Sequence, residues 1–307
     1  MGEKLKYYVI LHIIVLIWGF TGILGDEISA SADLITFFRT GISFLSLILI
    51  GFFIKNMNKL DRKQVMLLLL TGGIVGLHWY SFFYAIKSST VSIGVVCMSS
   101  STLFTSLLEP IIFKRKLLVS ELILSFAIIA GIVIIFGFET KYYIGIISGL
   151  IAAFLAALFT VINGKLITQI SSFKITKYEM LGGCLVLFII LICTNKINAA
   201  SFNLPMMDWI YLLILGVICT SVAFMVSVWV MKYVTPFTVS MSVNMEPIYT
   251  ILIVLLIGVF NGSQKEVMSR GFYVGALIII ASIFANAYIK KRINRRVKQK
   301  EILKTST

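Results

Sequence analysis

Apolar segments of about 20 residues follow one another along the whole chain, separated by short polar connections. A helix of roughly 20 apolar residues crosses the hydrocarbon core of a bilayer. This pattern predicts ten membrane-spanning helices, at about 7–25, 34–54, 65–86, 90–113, 118–138, 143–163, 175–194, 209–231, 235–260 and 270–290. The connections leave no room for a soluble domain between them. The predicted fold class is an all-α integral membrane protein.

Composition supports this interpretation. Hydrophobic residues make up 59% of the 307 residues and charged residues only 13%, which is too apolar for a soluble domain of this length. The first apolar segment lacks a small-residue cleavage pattern, so we interpret it as a retained helix rather than a signal peptide. Four cysteines fall within apolar segments, and we expect small buried side chains rather than disulfides or metal ligands. They are Cys97, Cys184, Cys193 and Cys219.

Lysine and arginine are unevenly distributed over the predicted connections. The side that carries both termini holds 21 of them and the other side holds 5. Because cytoplasmic loops carry an excess of these residues, we predict that both termini are cytoplasmic and that the protein lies in the plasma (inner cell) membrane. The net charge of +14 is thus an orientation signal, and it does not indicate nucleic acid as a partner. The basic tail, residues 291–307, is also a candidate contact for anionic membrane lipid.

The two halves of the chain resemble each other in sequence. Residues 84–90 align with 229–235, and 102–105 align with 247–250, both at a spacing of 145 positions. Five spans per half is an odd number, so the second half must be inserted upside down relative to the first. We therefore predict two inverted five-helix repeats, at 1–140 and 141–290, followed by the tail. Inverted repeats are a recurring plan of secondary transporters, whose substrate site lies near the membrane midplane.

Several segments resemble the EamA-type transporters of the drug/metabolite transporter superfamily. They are "LIWGFTGILG" in the first span, Arg39 early in the second, "FFYAIKSST" at the end of the third and "EPIYTILIVLLIGVF" in the ninth. The resemblance covers essentially the whole chain and implies a transporter of a small polar or amphipathic metabolite, such as an amino acid or drug-like compound, with export as the expected direction. It leaves the substrate and coupling ion unspecified. Many members carry Gly-Glu after the fourth and ninth spans, whereas this chain has "FKRKL" and "FNGSQKE", so no role of that acid is carried over to the first half.

The stretch "SVNMEPIYT", residues 242–250, places a carboxylate inside an apolar span. Glu246 aligns with Ser101, and each lies 11 residues past an aligned threonine, about 16 Å along a helix and near mid-bilayer. An ionisable side chain there costs on the order of 3 kcal/mol and normally faces a cavity or a partner. Pro247 is expected to kink the helix. Glu246, Asn244 and Pro247 thus form a predicted substrate- or proton-binding patch, and a protonated Glu246 bonded between helices is the structural alternative.

Further candidate binding residues lie on the first four spans. Ser101 and Thr105 match Glu246 in depth, although Ser and Thr also link helices by hydrogen bonds. His78 is a candidate for binding substrate or a proton. Trp79 is a candidate for stacking on the substrate, and Trp18, in the first span, completes this group.

Two features of the outer half of the predicted spans have competing interpretations. Arg39 lies about 8 Å inside the outer surface by helix rise, where substrate contact, an internal ion pair and snorkelling are all open. Phe82 to Tyr84 are expected to belong to the interfacial aromatic belt. Glycines four residues apart, such as Gly271 and Gly275, are expected to pack against other helices, and Gly131 aligns with Gly275.

Other function classes have less support in the sequence. It contains no G-x-S-x-G or H-E-x-x-H pattern and no Walker loop, so we do not predict an enzyme, a metal, a cofactor or ATP-driven transport. A channel-like or structural membrane protein is an open alternative. Transport of phosphorylated or nucleotide-linked solutes is another, but it would favour several intramembrane basic residues and only Arg39 is convincing. The sequence does not indicate the oligomeric state.

Overall fold

The computed structural model describes residues 2–54, 59–114, 119–261, 269–282, 284–285 and 288–289. Within these residues the chain is helical and contains no strand. The main helices are α1 (Gly2–Glu27), α2 (Ala32–Gly51), α3 (Arg62–Lys87), α4 (Val91–Met98), α5 (Ser101–Phe113), α6 (Val119–Phe138), α7 (Tyr143–Leu166), α8 (Ser172–Cys193), α9 (Met206–Leu213), α10 (Ala223–Val230), α11 (Pro236–Val243), α12 (Glu246–Asn261) and α13 (Arg270–Ser282). A π-helix, Ile214–Val222, joins α9 to α10, and short 3₁₀ turns span Thr140–Tyr142 and Ala199–Phe202.

Eight helical stretches of the described residues are long and apolar enough to cross a membrane. They are Leu5–Glu27, Ala32–Gly51, Arg62–Lys87, Val91–Phe113, Thr140–Leu166, Ser172–Cys193, Met206–Val230 and Pro236–Val254. Helices α6 and α13 occupy the positions of the fifth and tenth predicted spans. The multi-pass helical architecture is confirmed, while the number ten stays a prediction. The basic tail lies outside the described residues.

The fourth and ninth predicted spans each consist of two helices separated by a tight turn. The turn lies at residues 99–100 between α4 and α5, and at residues 244–245 between α11 and α12. Ser101 and Glu246 are the first residues after the two turns. The aligned threonines, Thr90 and Thr235, each cap the first helix of the pair, and their Oγ1 atoms accept the N–H three residues on at 3.2 Å. The 145-residue spacing therefore relates the same local structure in both halves.

One end of the helix bundle, here called the distal side, is held together by polar contacts between helix ends. Lys87 Nζ donates to the carbonyl oxygens of Asp26 at 2.9 Å and Ile28 at 2.6 Å. Lys196 pairs with Asp33 at 2.5 Å. These contacts join the ends of α1, α2, α3 and α8. The opposite end, which carries the α2–α3, α5–α6 and α7–α8 connections, is called the basic side.

Glycines set the closest helix contacts. A Cβ added to Gly131 of α6 would lie 2.8 Å from the carbonyl oxygen of Gly275, and one added to Gly275 of α13 would lie 2.6 Å from that of Gly131. The two aligned glycines thus face each other, which confirms that each packs against another helix. On α3, a Cβ at Gly72 would lie 2.2 Å from the carbonyl oxygen of Glu179. Helix α8 therefore rests directly on the α3 backbone.

The expectation for the cysteines is only partly met. Cys97 and Cys219 are buried, Cys184 is half-buried and Cys193 is exposed. Cys193 is the last residue of α8, where the helix end leaves less neighbouring protein to cover it.

Candidate functional site

A cavity lies between the two halves of the chain, beside the turn that precedes α12. The volume of the cavity that the centres of water molecules can occupy is about 80 Å³. One water molecule needs roughly 10–15 Å³ of such volume, so the cavity has room for several. Its polar lining comes from both halves: Thr21, Arg39, His78, Ser101, Thr160, Ser227, Ser240 and Glu246. The cavity extends to Met231, just beyond the end of α10 on the basic side.

Much of the cavity wall is aromatic, and it also draws on both halves. The aromatic residues that line it are Trp18, Trp79, Phe82, Phe159 and Phe224. Trp79 and Phe224 meet edge to face at 5.8 Å between ring centroids, an arrangement that aromatic pairs prefer. The wall therefore combines rigid apolar faces with a few polar groups, which is typical of small-molecule sites.

Arg39 is held against this wall from α2. It is 1% exposed, and its guanidinium carbon lies 4.1 Å from the centroid of the Trp79 ring, within the range of a cation–π interaction. Its Nε donates to Thr220 Oγ1 at 2.7 Å, whereas Nη1 has no hydrogen-bond partner among the described residues. The guanidinium is thus fixed at Nε, whereas its Nη1 can still donate a hydrogen bond to a solute.

The π-helix Ile214–Val222 supplies the groups that fix two of the cavity residues. Its Cys219 carbonyl oxygen accepts a hydrogen bond from Trp18 Nε1 at 2.9 Å, and its Thr220 hydroxyl holds Arg39. Thr220 Oγ1 in turn donates to the carbonyl oxygen of Leu215, five residues earlier, at 2.7 Å. Such π-helical segments often occur at functional sites.

Glu246 lies on the cavity wall at the start of α12. It is 7% exposed, and its carboxyl makes no hydrogen bond or ion pair with any described residue. Arg39 is the charged group that acts on it electrostatically. The cavity therefore contains one acidic and one basic side chain that are not joined in a salt bridge, so both can interact with a solute.

His78 faces the cavity from α3 in a largely aromatic setting. Its Nδ1 lies 2.8 Å from the carbonyl oxygen of Ala152. Since a carbonyl only accepts hydrogen bonds, Nδ1 carries the proton and a neutral ring presents Nε2 as an acceptor. The ring packs 5.3 Å from Phe159 and 6.5 Å from Phe82, centroid to centroid. His78 can therefore accept a hydrogen bond or a proton at Nε2.

Comparison with known proteins identifies the family. A profile of the EamA-like transporter family matches the chain twice, over residues 5–137 and 143–288. The chain belongs to the EamA-like transporter family. The crystal structure of another protein superposes with a TM-score of 0.66 over 94% of this chain and 99% of that one, at 15% identity, which shows a common fold. A search of curated proteins gives no match.

Family membership makes the chain a multi-pass membrane transporter of the drug/metabolite type. EamA members are transporters rather than enzymes, in agreement with the sequence. Within the described residues, no group of three or more His, Cys, Asp or Glu side chains is placed to hold a metal ion.

Six of the nine predicted site residues of this EamA transporter line the cavity: Trp18, Arg39, His78, Trp79, Ser101 and Glu246. Thr105 lies one turn beyond Ser101, donates to its carbonyl oxygen at 2.8 Å and contacts the Ser240 hydroxyl at 3.1 Å. Asn244 is buried in the turn before α12, and its Nδ2 donates to Thr102. Thr105 and Asn244 therefore tie the two interrupted spans together beside the cavity.

Pro247 is the second residue of α12 and does not line the cavity. Its missing N–H costs little in the first turn of a helix, where no intrahelical acceptor is available. The helix is interrupted at residues 244–245, just before Pro247, so Pro247 contributes to the position of Glu246 rather than to the cavity surface, and the kink stays a prediction.

One expectation for the EamA transporter is wrong. Phe82 and Phe83 do not belong to an interfacial aromatic belt, because they are only 3% and 0% exposed. Phe82 lines the cavity, and a Cβ added to Gly25 of α1 would lie 2.2 Å from the Phe83 ring. The absence of a side chain at Gly25 makes room for Phe83 to turn inward. Tyr84, at 41% exposure, stays on the surface.

Proposed function

We propose that this transporter exports a small polar or amphipathic metabolite, such as an amino acid or a drug-like compound, by alternating access. The observation that carries the proposal is the cavity itself. It joins an aromatic wall to Arg39 and Glu246, which bear opposite charges and are not paired with each other. A solute with an apolar part and a charged group matches this surface, since aromatic faces take the first and the charged side chains take the second.

The position of the cavity supports alternating access. Both halves of the chain contribute to its wall, and inverted-repeat transporters place their substrate where the repeats meet. On the distal side, Lys87, Asp33 and Lys196 close the ends of four helices. Transport then requires these contacts to open in one state while the cavity is closed from the basic side.

We further propose that the protein lies in the plasma membrane with its basic side in the cytoplasm. The 21 basic residues on that side, against 5 on the other, support this orientation. The negative surface potential of cytoplasmic lipid would add to it. The distal contacts would then form the extracellular closure.

Within this mechanism Glu246 binds a proton or the cationic group of the solute. Its lack of a partner among the described side chains supports this role, because a carboxylate in an apolar setting is stabilised by taking up a proton or meeting a cation. Asn244 and Pro247 hold the turn that places it. Arg39, fixed by Thr220 and Trp79, is suited to an anionic group of the solute.

The test compares metabolites in the medium of cells that express wild type, Glu246→Gln or Asp61→Asn. Glutamine keeps the size and hydrogen bonding of glutamate but cannot titrate. We expect at least one metabolite to accumulate with wild type and with the control Asp61→Asn, because Asp61 is exposed and asparagine can replace it as the cap of α3. Its accumulation should be abolished, or lose its dependence on external pH, with Glu246→Gln, at equal amounts of membrane-inserted protein.

Two results would contradict the proposal. Wild-type export by Glu246→Gln with an unchanged pH profile would make this carboxyl structural, and His78 would be the next residue to examine. No difference between wild-type and empty-vector cells for any metabolite would argue for the channel-like or structural alternative. A phosphorylated metabolite in the medium would instead support the alternative substrate class.

A further inference from the structure

A second carboxyl is buried in the bundle away from the cavity. Glu179 lies on α8, is 0% exposed and is not among the residues that line the cavity. Its Oε2 accepts a hydrogen bond from Asn163 Nδ2 of α7 at 3.1 Å. The mechanism proposed above makes no use of this pair.

Three polar atoms of this cluster have no hydrogen-bond partner among the described residues. They are Glu179 Oε1, Asn163 Oδ1 and Thr176 Oγ1. Thr176 lies one helical turn before Glu179 on the same face of α8, and it is 0% exposed. Buried polar groups are normally satisfied. A threonine hydroxyl within reach of Glu179 Oε1 would donate to it, so Thr176 is not its partner, and Oε1 has no donor among the described residues.

The surrounding helices provide no counter-charge for the Glu179 carboxyl. Helix α8 packs on α2, α3 and α10, and a Cβ at Gly72 of α3 would lie 2.2 Å from the Glu179 carbonyl oxygen, which leaves no space for a long side chain at that contact. Asn163 is the one polar partner of the carboxyl among the described residues. The titratable groups nearest in register are Arg39 of α2, Lys63 and His78 of α3, Lys165 of α7, and Lys174, Lys177 and Tyr178 of α8, while α10 carries none.

The inverted repeat gives Glu179 a counterpart. Glu179 is the eighth residue of α8 and Arg39 is the eighth residue of α2, the second long helix of each half. Each lies about 10 Å from the start of its helix, Arg39 from the distal side and Glu179 from the basic side. The second long helix of each half therefore carries an ionisable group about two turns from its start, one facing the cavity and one enclosed between α3, α7 and α8.

An ionised Glu179 would only accept hydrogen bonds, as Asn163 Oδ1 does. A proton on Oε1 makes that atom a donor, which matches the unpaired acceptor Oδ1 of the Asn163 side chain that already bonds to Oε2. It also removes the large cost of an unpaired charge in an apolar interior. The hydrogen-bond donors and acceptors around Glu179 therefore favour a neutral, protonated carboxyl.

We propose that Glu179 is a proton-binding site separate from the central cavity. In the packed state the carboxyl holds a proton on Oε1, beside the Asn163 side chain that bonds to Oε2. When α3 and α8 separate on the basic side, the O–H bond breaks and the proton passes to water, leaving the carboxylate hydrated. Any use of this proton to drive solute movement rests on the transport function proposed above, but its presence on Glu179 does not.

Infrared spectroscopy of the purified full-length chain in liposomes tests this directly. At neutral pH, wild type should show the C=O stretching band of a protonated carboxylic acid, with the downshift in D₂O that an exchangeable proton produces. Glu179→Gln should lose this band, whereas Glu246→Gln should keep it. Asn163→Leu, which removes the hydrogen bond to Oε2 but not the carboxyl, should keep the band and shift it to higher frequency.

The controls keep the test decisive. Glutamine at 179 can donate a hydrogen bond as the protonated carboxyl does, so the thermal stability of Glu179→Gln should be close to that of wild type. Asn163→Leu provides the second readout if Glu179→Gln does not fold. A band unchanged by both substitutions would overturn the proposal. So would a melting temperature that falls when NaCl is replaced by choline chloride in wild type but not in Glu179→Gln, because the cluster would then bind Na⁺. No solute is needed, so failure here is distinguishable from failure of the proposed export function.

Discussion

The contact between Gly131 and Gly275 allows a stability prediction with a magnitude. A methyl group at position 275 would lie 2.5 Å from Ile135 Cγ1 and 2.6 Å from the Gly131 carbonyl oxygen, whereas ordinary contacts begin near 3.4 Å. For Gly275→Ala, α6 and α13 must therefore separate by about 1 Å or distort. Overpacking of this kind costs about 1–3 kcal/mol.

A matched control isolates this cost from helix propensity. Alanine gains about 1 kcal/mol over glycine in any helix interior, so Gly275→Ala is compared with Gly41→Ala in α2. A Cβ at Gly41 would meet only Cys184 Sγ, at 3.6 Å, which is an ordinary contact. The propensity gains then largely cancel, and the difference between the two variants should equal the overpacking cost of about 1–3 kcal/mol.

The assay is reversible unfolding in mixed detergent micelles, followed by tryptophan fluorescence. Gly275→Ala should unfold at lower denaturant than Gly41→Ala, Gly131→Ala should behave like Gly275→Ala, and Gly275→Leu should impair folding outright. The double variant Gly131→Ala/Gly275→Ala should cost less than the sum of the two, because one separation of the helices accommodates both methyl groups. Equal stability of Gly275→Ala and Gly41→Ala would refute the described α6–α13 contact.

Two further predictions concern orientation and the Arg39 anchor. Ser29→Cys, at an exposed distal-side position, should react with an impermeant thiol reagent applied to intact cells, on a background in which the native cysteines are replaced; reaction only after lysis would reverse the proposed orientation. Thr220→Val removes the acceptor at 2.7 Å from Arg39 Nε and should cost about 1.5–3 kcal/mol of stability, together with export. The control is Thr71→Val, because among the described residues the Thr71 hydroxyl bonds to the Leu67 carbonyl within α3. Equal melting temperatures for both variants would show that the hydrogen bond to Arg39 is not stabilising.

Hydropathy and spacing were sufficient to predict the multi-pass helical fold. They also predicted that Ser101 and Glu246 occupy equivalent places, because register between repeats is carried by sequence positions such as the aligned threonines. The cavity residues that could be predicted were those whose polarity or size is unusual in an apolar span, such as Arg39 and His78. The residues that hold these side chains in place could not be recognised from the sequence.

Thr220 illustrates why the rest could not be predicted. In the sequence it is one of many small hydroxyl residues in apolar helices, and its role depends on the π-helix, which hydropathy does not reveal. The depth of Phe82 and Phe83 in their span suggests the membrane interface, but in the structure Phe83 packs on Gly25 and Phe82 on Gly22 of α1. No proline marks the turn at residues 99–100 in the sequence. In each case the deciding information is how two distant helices pack.

That turn has a consequence for how the molecule works. Helices α4 and α5 are interrupted where α11 and α12 are, although the first pair has no proline equivalent to Pro247, so the interruption does not require that proline. The two copies therefore share the turn and differ in the side chain that follows it, Ser101 in one and Glu246 in the other. If the two copies exchange conformations during transport, the shape of each turn in this structure also describes the other turn in the opposite state. The charge at residue 246 has no counterpart in the first half, so it distinguishes the two directions of the cycle.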